Sequence, residues 1–156
     1  GTPGNDFSMT VELPGGGQIA ITIIGGNIPE NFTLVYTTVE SEPTILPAGW
    51  MFFGTIFNLD AYQDGNEVPN YTLNGDGATI VINYIVPTLR TVEVNQDYIE
   101  SSLQLKQLES GKWIDTTRIG EVDTETKVIT STTTQMGQYA LFAETMKTIY
   151  LPIVLK

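Results

Sequence analysis

The stretch WIDTTRIGEVDTETKVITSTTTQMGQYALFA, residues 113–143, decides the fold. Val122 and Val128-Ile129 flank the polar run Asp123-Thr124-Glu125-Thr126, so two short β-branched segments joined by a tight turn read as a hairpin. Tyr139-Ala140-Leu141-Phe142-Ala143 is nearly all apolar, the pattern of a strand inside a sandwich. Upstream, Glu109-Ser110-Gly111 makes a turn from the alternating Leu103-Gln104-Leu105 run into Trp113. This spacing predicts Trp113, Tyr139, Leu141 and Ile82 in one core.

Working outward, Phe7-Ser8-Met9-Thr10-Val11-Glu12-Leu13 follows the polar arm Gly1 to Asp6 and alternates with period two. Pro14-Gly15-Gly16-Gly17 then breaks the chain ahead of Ile19 to Ile24, which is apolar enough for burial on both faces. Two readings stand: a hairpin between these segments, or a first strand that swings out. Phe32 to Val39 is the next strand. The Pro-rich run Ser41 to Gly49 suits a passage between sheets. Trp50 to Ala61 is the longest strand, with Met51, Phe53, Phe57 and Leu59 on one face and Trp50, Phe52 and Ile56 on the other. Gly54 marks a bulge or a close approach. After the polar connection 60–77, Ala78 to Ile85 is a strong strand. Residues 148–156 form a last apolar segment, Thr-Ile-Tyr-Leu-Pro-Ile-Val-Leu-Lys, in which Pro152 cannot donate a ladder hydrogen bond.

No repeat or linker divides the 156 residues, so they read as one all-β domain. The expected architecture is a two-sheet sandwich, Ig-like or jelly-roll, of about nine or ten strands.

Composition narrows the function. Seven basic against 18 acidic residues, a net charge of −11, argue against nucleic acid or an anionic membrane as partner. No apolar run is long enough to span a membrane. With neither Cys nor His, disulfides, thiol nucleophiles, imidazole bases and the usual transition-metal ligands are excluded. A chain beginning at Gly1, poor in Lys and rich in Thr, Asn and Gly, fits a processed exported protein, secreted or held at the cell surface.

Trp113 after a Gly turn, Val122-Asp123 before a Thr/Val strand, and Gly137-Gln138-Tyr139-Ala140-Leu141-Phe142-Ala143 together resemble the closing half of β-sandwich modules in bacterial surface proteins. That half is similar in turn to ZU5-type domains. In self-cleaving members a His-Phe-Ser triplet precedes the last strand. Here the aligned positions are Gln135-Met136-Gly137, so the cleavage chemistry does not carry over. The Tyr150-Leu151-Pro152-Ile153-Val154-Leu155 ending also resembles tails of other exported bacterial proteins.

No catalytic constellation is visible, and the expectation is not an enzyme. A glycosidase pair drawn from Asp60 and Glu67 lacks an aromatic platform. Asp60, Asp64, Asn66, Glu67 and Asp76 crowd one connection and offer the oxygen ligands Ca²⁺ takes, although Asx turns use the same residues. No cofactor is required beyond that candidate Ca²⁺. Asn31 and Asn70 begin glycosylation sequons. Trp50 and Trp113 are either core aromatics or a sugar-stacking pair.

Two functions follow. The first is a structural subunit of an extracellular filament that polymerises with copies of itself by donor-strand complementation. The donor is Phe7, Met9, Val11 and Leu13, worth about 6 to 12 kcal/mol at about 1.5 to 3 per buried side chain, before ordering costs. Residues 1–17 are then strand plus hinge, and Ile149, Leu151, Ile153 and Leu155 are the rival donor. The second is a module of a larger surface protein that binds a glycan or another surface protein.

Overall fold

A computed structural model describes residues 1–86, 98–118 and 120–146 as a sandwich of two antiparallel sheets. In chain order the strands are β1 (Phe7–Glu12), β2 (Gln18–Ile23), β3 (Thr33–Thr38), β4 (Trp50–Gln63), β5 (Asn66–Glu67) and β6 (Ala78–Asn83). They continue as β7 (Tyr98–Glu109), β8 (Lys112–Asp115), β9 (Val122–Asp123), β10 (Val128–Thr133) and β11 (Gly137–Thr145). One sheet has the order β1-β2-β6-β10-β9; the other has β3-β4-β11-β7-β8, with β5 folded back on the end of β4. Helical structure among the described residues is the single 3-10 turn Gly25–Asn27.

The stretch that decides the fold is central in space. β11 pairs with β4 on one side and β7 on the other, and Tyr139 through Ala143 are each 0% exposed. Tyr139 and Leu141 face the other sheet and join Phe57, Leu105, Ile80, Ile82 and Ile129 in the main core. A buried phenol needs a partner, and the Tyr139 hydroxyl has the Thr133 Oγ1 at 2.8 Å and the Gln135 carbonyl.

The turns follow their residue chemistry. Asp123 Oδ1 accepts from the backbone N–H of Glu125 at 3.0 Å and of Thr126 at 3.1 Å, an Asx turn that sets the β9–β10 pairing of Val128 with Asp123. Ser110 and Gly111 both take positive φ, 50° and 76°, as a two-residue hairpin between β7 and β8 requires. Gly54, with φ 84°, sits where the β4–β11 register slips between Ile56 and Phe52, the bulge its position suggested.

Three expectations are corrected, and the polar arm gains partners that its sequence does not announce. Trp113 lies on the outer face of the β4–β11–β7–β8 sheet, half-buried, with its ring 5.0 Å from that of Phe142. The run 41–49 does not pass between sheets, because β3 and β4 are neighbours in one sheet. It folds over the outer face, where the Ile45 carbonyl accepts from Trp113 Nε1 at 2.9 Å and the Gly49 carbonyl from the Thr145 N–H at 2.9 Å. That face carries Trp50, Phe52 and Phe142, so it needs a cover as much as the inner face does. β2 is buried on one face only: Ile19, Ile21 and Ile23 point inward while Thr22 is exposed and Ile24 is 68% exposed. The polar arm 1–6 is pinned, with Phe32 N–H donating to the Gly1 carbonyl at 3.0 Å and Gly25 N–H to Asp6 Oδ1 at 2.9 Å.

Candidate strand-addition site

The two sides of the sandwich differ. On the far side, described residues between β8 and β9 tie one sheet to the other: Arg118 N–H donates to the Thr132 carbonyl at 3.2 Å, and the Glu121 carbonyl accepts from Thr130 N–H at 3.0 Å. On the near side the edge strands are β1 and β3, and nothing in either sequence guards the edge. Phe-Ser-Met-Thr-Val-Glu and Thr-Leu-Val-Tyr-Thr-Thr contain no Lys, Arg or Pro.

β1 pairs with β2 along its whole length, from Phe7 with Ile23 to Glu12 with Gln18. In the single chain, therefore, Phe7, Met9, Val11 and Leu13 fold back on their own subunit, where Phe7, Met9 and Leu13 pack on the core. The expectation that Pro14 to Gly17 releases the strand is not met there. Gly15, Gly16 and Gly17 take φ of 85°, 104° and 90°, a left-handed run that only glycine adopts easily and that reverses the chain. Leu13 N–H donates to the Gly17 carbonyl at 3.0 Å and closes the turn. The rival donor, Ile149, Leu151, Ile153 and Leu155, lies outside the described residues.

The opening is further along. β3 covers β4 from Tyr62 back to Phe57, and the last contact is Val39 N–H to the Ile56 carbonyl at 3.4 Å. β4 is 14 residues long and β3 is 6, so Phe52 to Thr55 has no strand on that side among the described residues. A cleft of about 450 Å³ opens there, between the 13–16 turn and the end of β3. Leu13, Tyr36, Val39, Phe53, Tyr84 and Ile85 give it apolar walls, and Glu40 is the single charged residue among those lining it. Burial pushes the Tyr36 phenol above its ordinary range, partly offset by the Thr38 hydroxyl; burial followed by the neighbouring Glu100 carboxylate does the same to Tyr84. The Tyr84 hydroxyl is already donated to Glu100 Oε1 at 2.8 Å, which leaves Tyr36 as the phenol offered to the cleft. The cleft has backbone, apolar surface and hydroxyls, the elements that recognise an extended peptide rather than activate a nucleophile.

The other singled-out residues do not assemble into a site. Asp64 and Asn66 belong to the β4–β5 turn, where Asn66 Nδ2 donates to the Asp64 carbonyl at 3.3 Å. Asp60 lies within β4 and Glu67 in β5, while Asp76 is on a separate turn, 3.4 Å from Arg118. No group of three or more His, Cys, Asp or Glu able to hold a metal occurs among the described residues. Trp50 and Trp113 share the outer face but not the main core, on strands separated by β11 and β7. Lys106 Nζ sits 4.3 Å from the Trp50 ring centre and 2.8 Å from Asp115 Oδ1, and with Phe142 fills the space between the indoles. Asn31 and Asn70 are both exposed, as a sequon in use requires.

A mismatch in the lengths of consecutive strands was the sequence signal for the cleft, since Trp50 to Ala61 outruns Phe32 to Val39. No family model, curated protein or solved structure matches this chain.

Proposed function

We propose that this protein is a structural subunit of an extracellular assembly, joined to copies of itself by strand addition along the near side of the sandwich. The observation that carries this reading is the near-side edge, because a strand with no edge partner among the described residues and no Lys, Arg or Pro of its own invites another strand. The β4 length beyond Ile56 adds an acceptor with a walled cleft rather than a bare edge. Secretion to the cell surface fits the resemblance carried by Trp113 and the Tyr139 stretch. No described helix is long and apolar enough to cross a membrane.

The alternative, a glycan- or protein-binding module, draws less support. Trp113 has its indole N–H committed to Ile45 and its ring against Phe142, and Trp50 has Lys106 over one face, so the two rings are engaged in packing and form no joint platform for a sugar.

Electron microscopy and sedimentation of the purified chain at micromolar concentration test the proposal. Fibres or a concentration-dependent ladder of species are expected. A single monomer boundary at every concentration would reject it.

A further inference from the structure

We infer that the β4 cleft is the acceptor of a strand from a second copy of this chain, and that the strand it takes is Ile149 to Leu155. This inference rests on the assembly reading and names its joint.

The acceptor is defined by what β3 leaves uncovered. Ile56 gives its carbonyl to Val39, so on β4 the even-numbered residues turn their backbone groups to the β3 side. Four residues, Phe52 to Thr55, continue that edge past the end of β3. A strand laid there in the direction of β3 would continue that ladder past Ile56 and meet the bulge at Gly54, which bends the edge. Its side chains would alternate between the cleft wall of Leu13, Tyr36 and Phe53 and the outer side of the sheet.

Two segments of the chain have the alternation to be the donor. β1 is already paired with β2 along its whole length, its preceding arm is tied to Phe32 and Gly25, and it brings Asp6 and Glu12 toward a cleft whose charge is Glu40. The tail has none of these drawbacks. From Thr148 to Leu155 it carries no charge, and Lys147 and Lys156 bracket it, so its electrostatics favour an acidic rim on a chain of net charge −11. Pro152 suits the role as well. A strand added at an edge uses alternate backbone groups, and the missing N–H is harmless when it falls on the outward side.

Chain geometry makes the donor a second copy. β11 ends at Thr145, held to Gly49 beside the start of β4. A strand lying on the β3 side of β4, antiparallel to it, runs parallel to β11. Parallel strands in one sheet need a connection of about a dozen residues. Only Met146, Lys147 and Thr148 stand between Thr145 and Ile149, too few for a chain to serve its own cleft. The same shortness leaves the tail to reach outward to a neighbour, a head-to-tail contact that does not close on itself.

The absence of Cys allows a clean test on the full chain. Thr38→Cys, exposed at the cleft, is placed in one preparation and Ile153→Cys in another, and the two are mixed under mild oxidation. A disulfide-linked pair is expected at a yield several-fold above that of Ile153→Cys mixed with Thr22→Cys, an exposed position on β2. Glu40→Lys in the acceptor should lower that yield. Equal yields with both partners would overturn the inference, as would a dilute double variant, Thr38→Cys with Ile153→Cys, that closes within one chain. Fibres without the specific link leave the assembly reading standing and remove this joint. The specific link in particles no larger than dimers keeps the joint and removes the filament.

Discussion

The two sides of this sandwich are closed by different means. On the far side the chain itself crosses between sheets, and polar groups knit the crossing. Thr116 Oγ1 and Ser131 Oγ lie 2.6 Å apart, and Arg118 and Thr132 exchange backbone hydrogen bonds at 3.2 and 3.3 Å. Lys127 and Tyr84, from one sheet, both bond the Glu100 carboxylate of the other. On the near side the end at Phe32 is held by the Gly1–Phe32 and Asp6–Gly25 hydrogen bonds and by the rings of Phe7, Phe32 and Tyr71, with centres 6.3 and 4.6 Å apart; beyond Leu13 the closure is apolar and partial, and the cleft takes over. Directional bonds fix a geometry, whereas an apolar contact accepts substitutes of similar shape. The near side is therefore the one that can exchange partners.

The sharpest way to break the far side is Gly120→Ala. A Cβ there would overlap the carbonyl of Thr130, whose own N–H donates to the Glu121 carbonyl at 3.0 Å, so Thr130 cannot move aside without losing that bond to the crossing. A loss of about 4 kcal/mol or more is expected, read as a collapse of the denaturant midpoint. A midpoint within experimental error of the parent would mean that the crossing is not a fixed part of the fold. The buried hydroxyl pair is the finer probe. Thr116 and Ser131 are 5% and 3% exposed, so Thr116→Val leaves Ser131 short of a partner at a cost of about 1 to 3 kcal/mol. The double variant with Ser131→Ala should cost less than the two singles together, and strict additivity would dissolve the claim of coupling.

On the near side, Gly17→Ala and Gly15→Ala separate conformational strain from crowding. Both glycines are left-handed, which costs an L-residue about 1 to 2 kcal/mol, but only at Gly17 would the added carbon also meet the Asn83 carbonyl. Gly17→Ala should therefore melt lower than Gly15→Ala, where a Cβ meets open space. Equal melting temperatures would show the β1–β2 turn to be looser than its geometry.

Much of this division was legible in residues and some was not. The Asp123 turn, the Ser110-Gly111 turn and the burial of Tyr139 through Ala143 are local matters of turn chemistry and apolar runs. They read correctly because no distant contact can alter them. Trp113 read wrongly for a physical reason. Alternation tells which residues share a face, and here both faces of the central strands are covered, one by the other sheet and one by residues 41–49. An aromatic ring then has two apolar places to go. The pinning of Gly1 to Phe32, 31 residues away, leaves no periodic trace at all. The acidic connection shows the same limit: Asp64 and Asp76 are near in sequence, but they sit on separate turns, and Arg118 pairs with the second.

The weakest and most specific test concerns acid. The Glu100 carboxyl is held below its ordinary value, first by the hydrogen bond from Lys127, with Tyr84 adding to it and desolvation opposing it. A lowered folded-state pKa means that the ionised form is the stabilising one. The contribution is complete above the unfolded carboxylate pKa and fades as pH falls through the lower folded value. As a partly exposed pair it is worth about 1 kcal/mol or less. Glu100→Gln removes the charge and keeps an acceptor for Tyr84. Melting temperatures of parent and variant should thus differ by a constant amount at neutral pH and converge only below the usual carboxylate range. A parent that loses its advantage already near neutrality would place the titrating group elsewhere and remove Glu100 from the far-side closure.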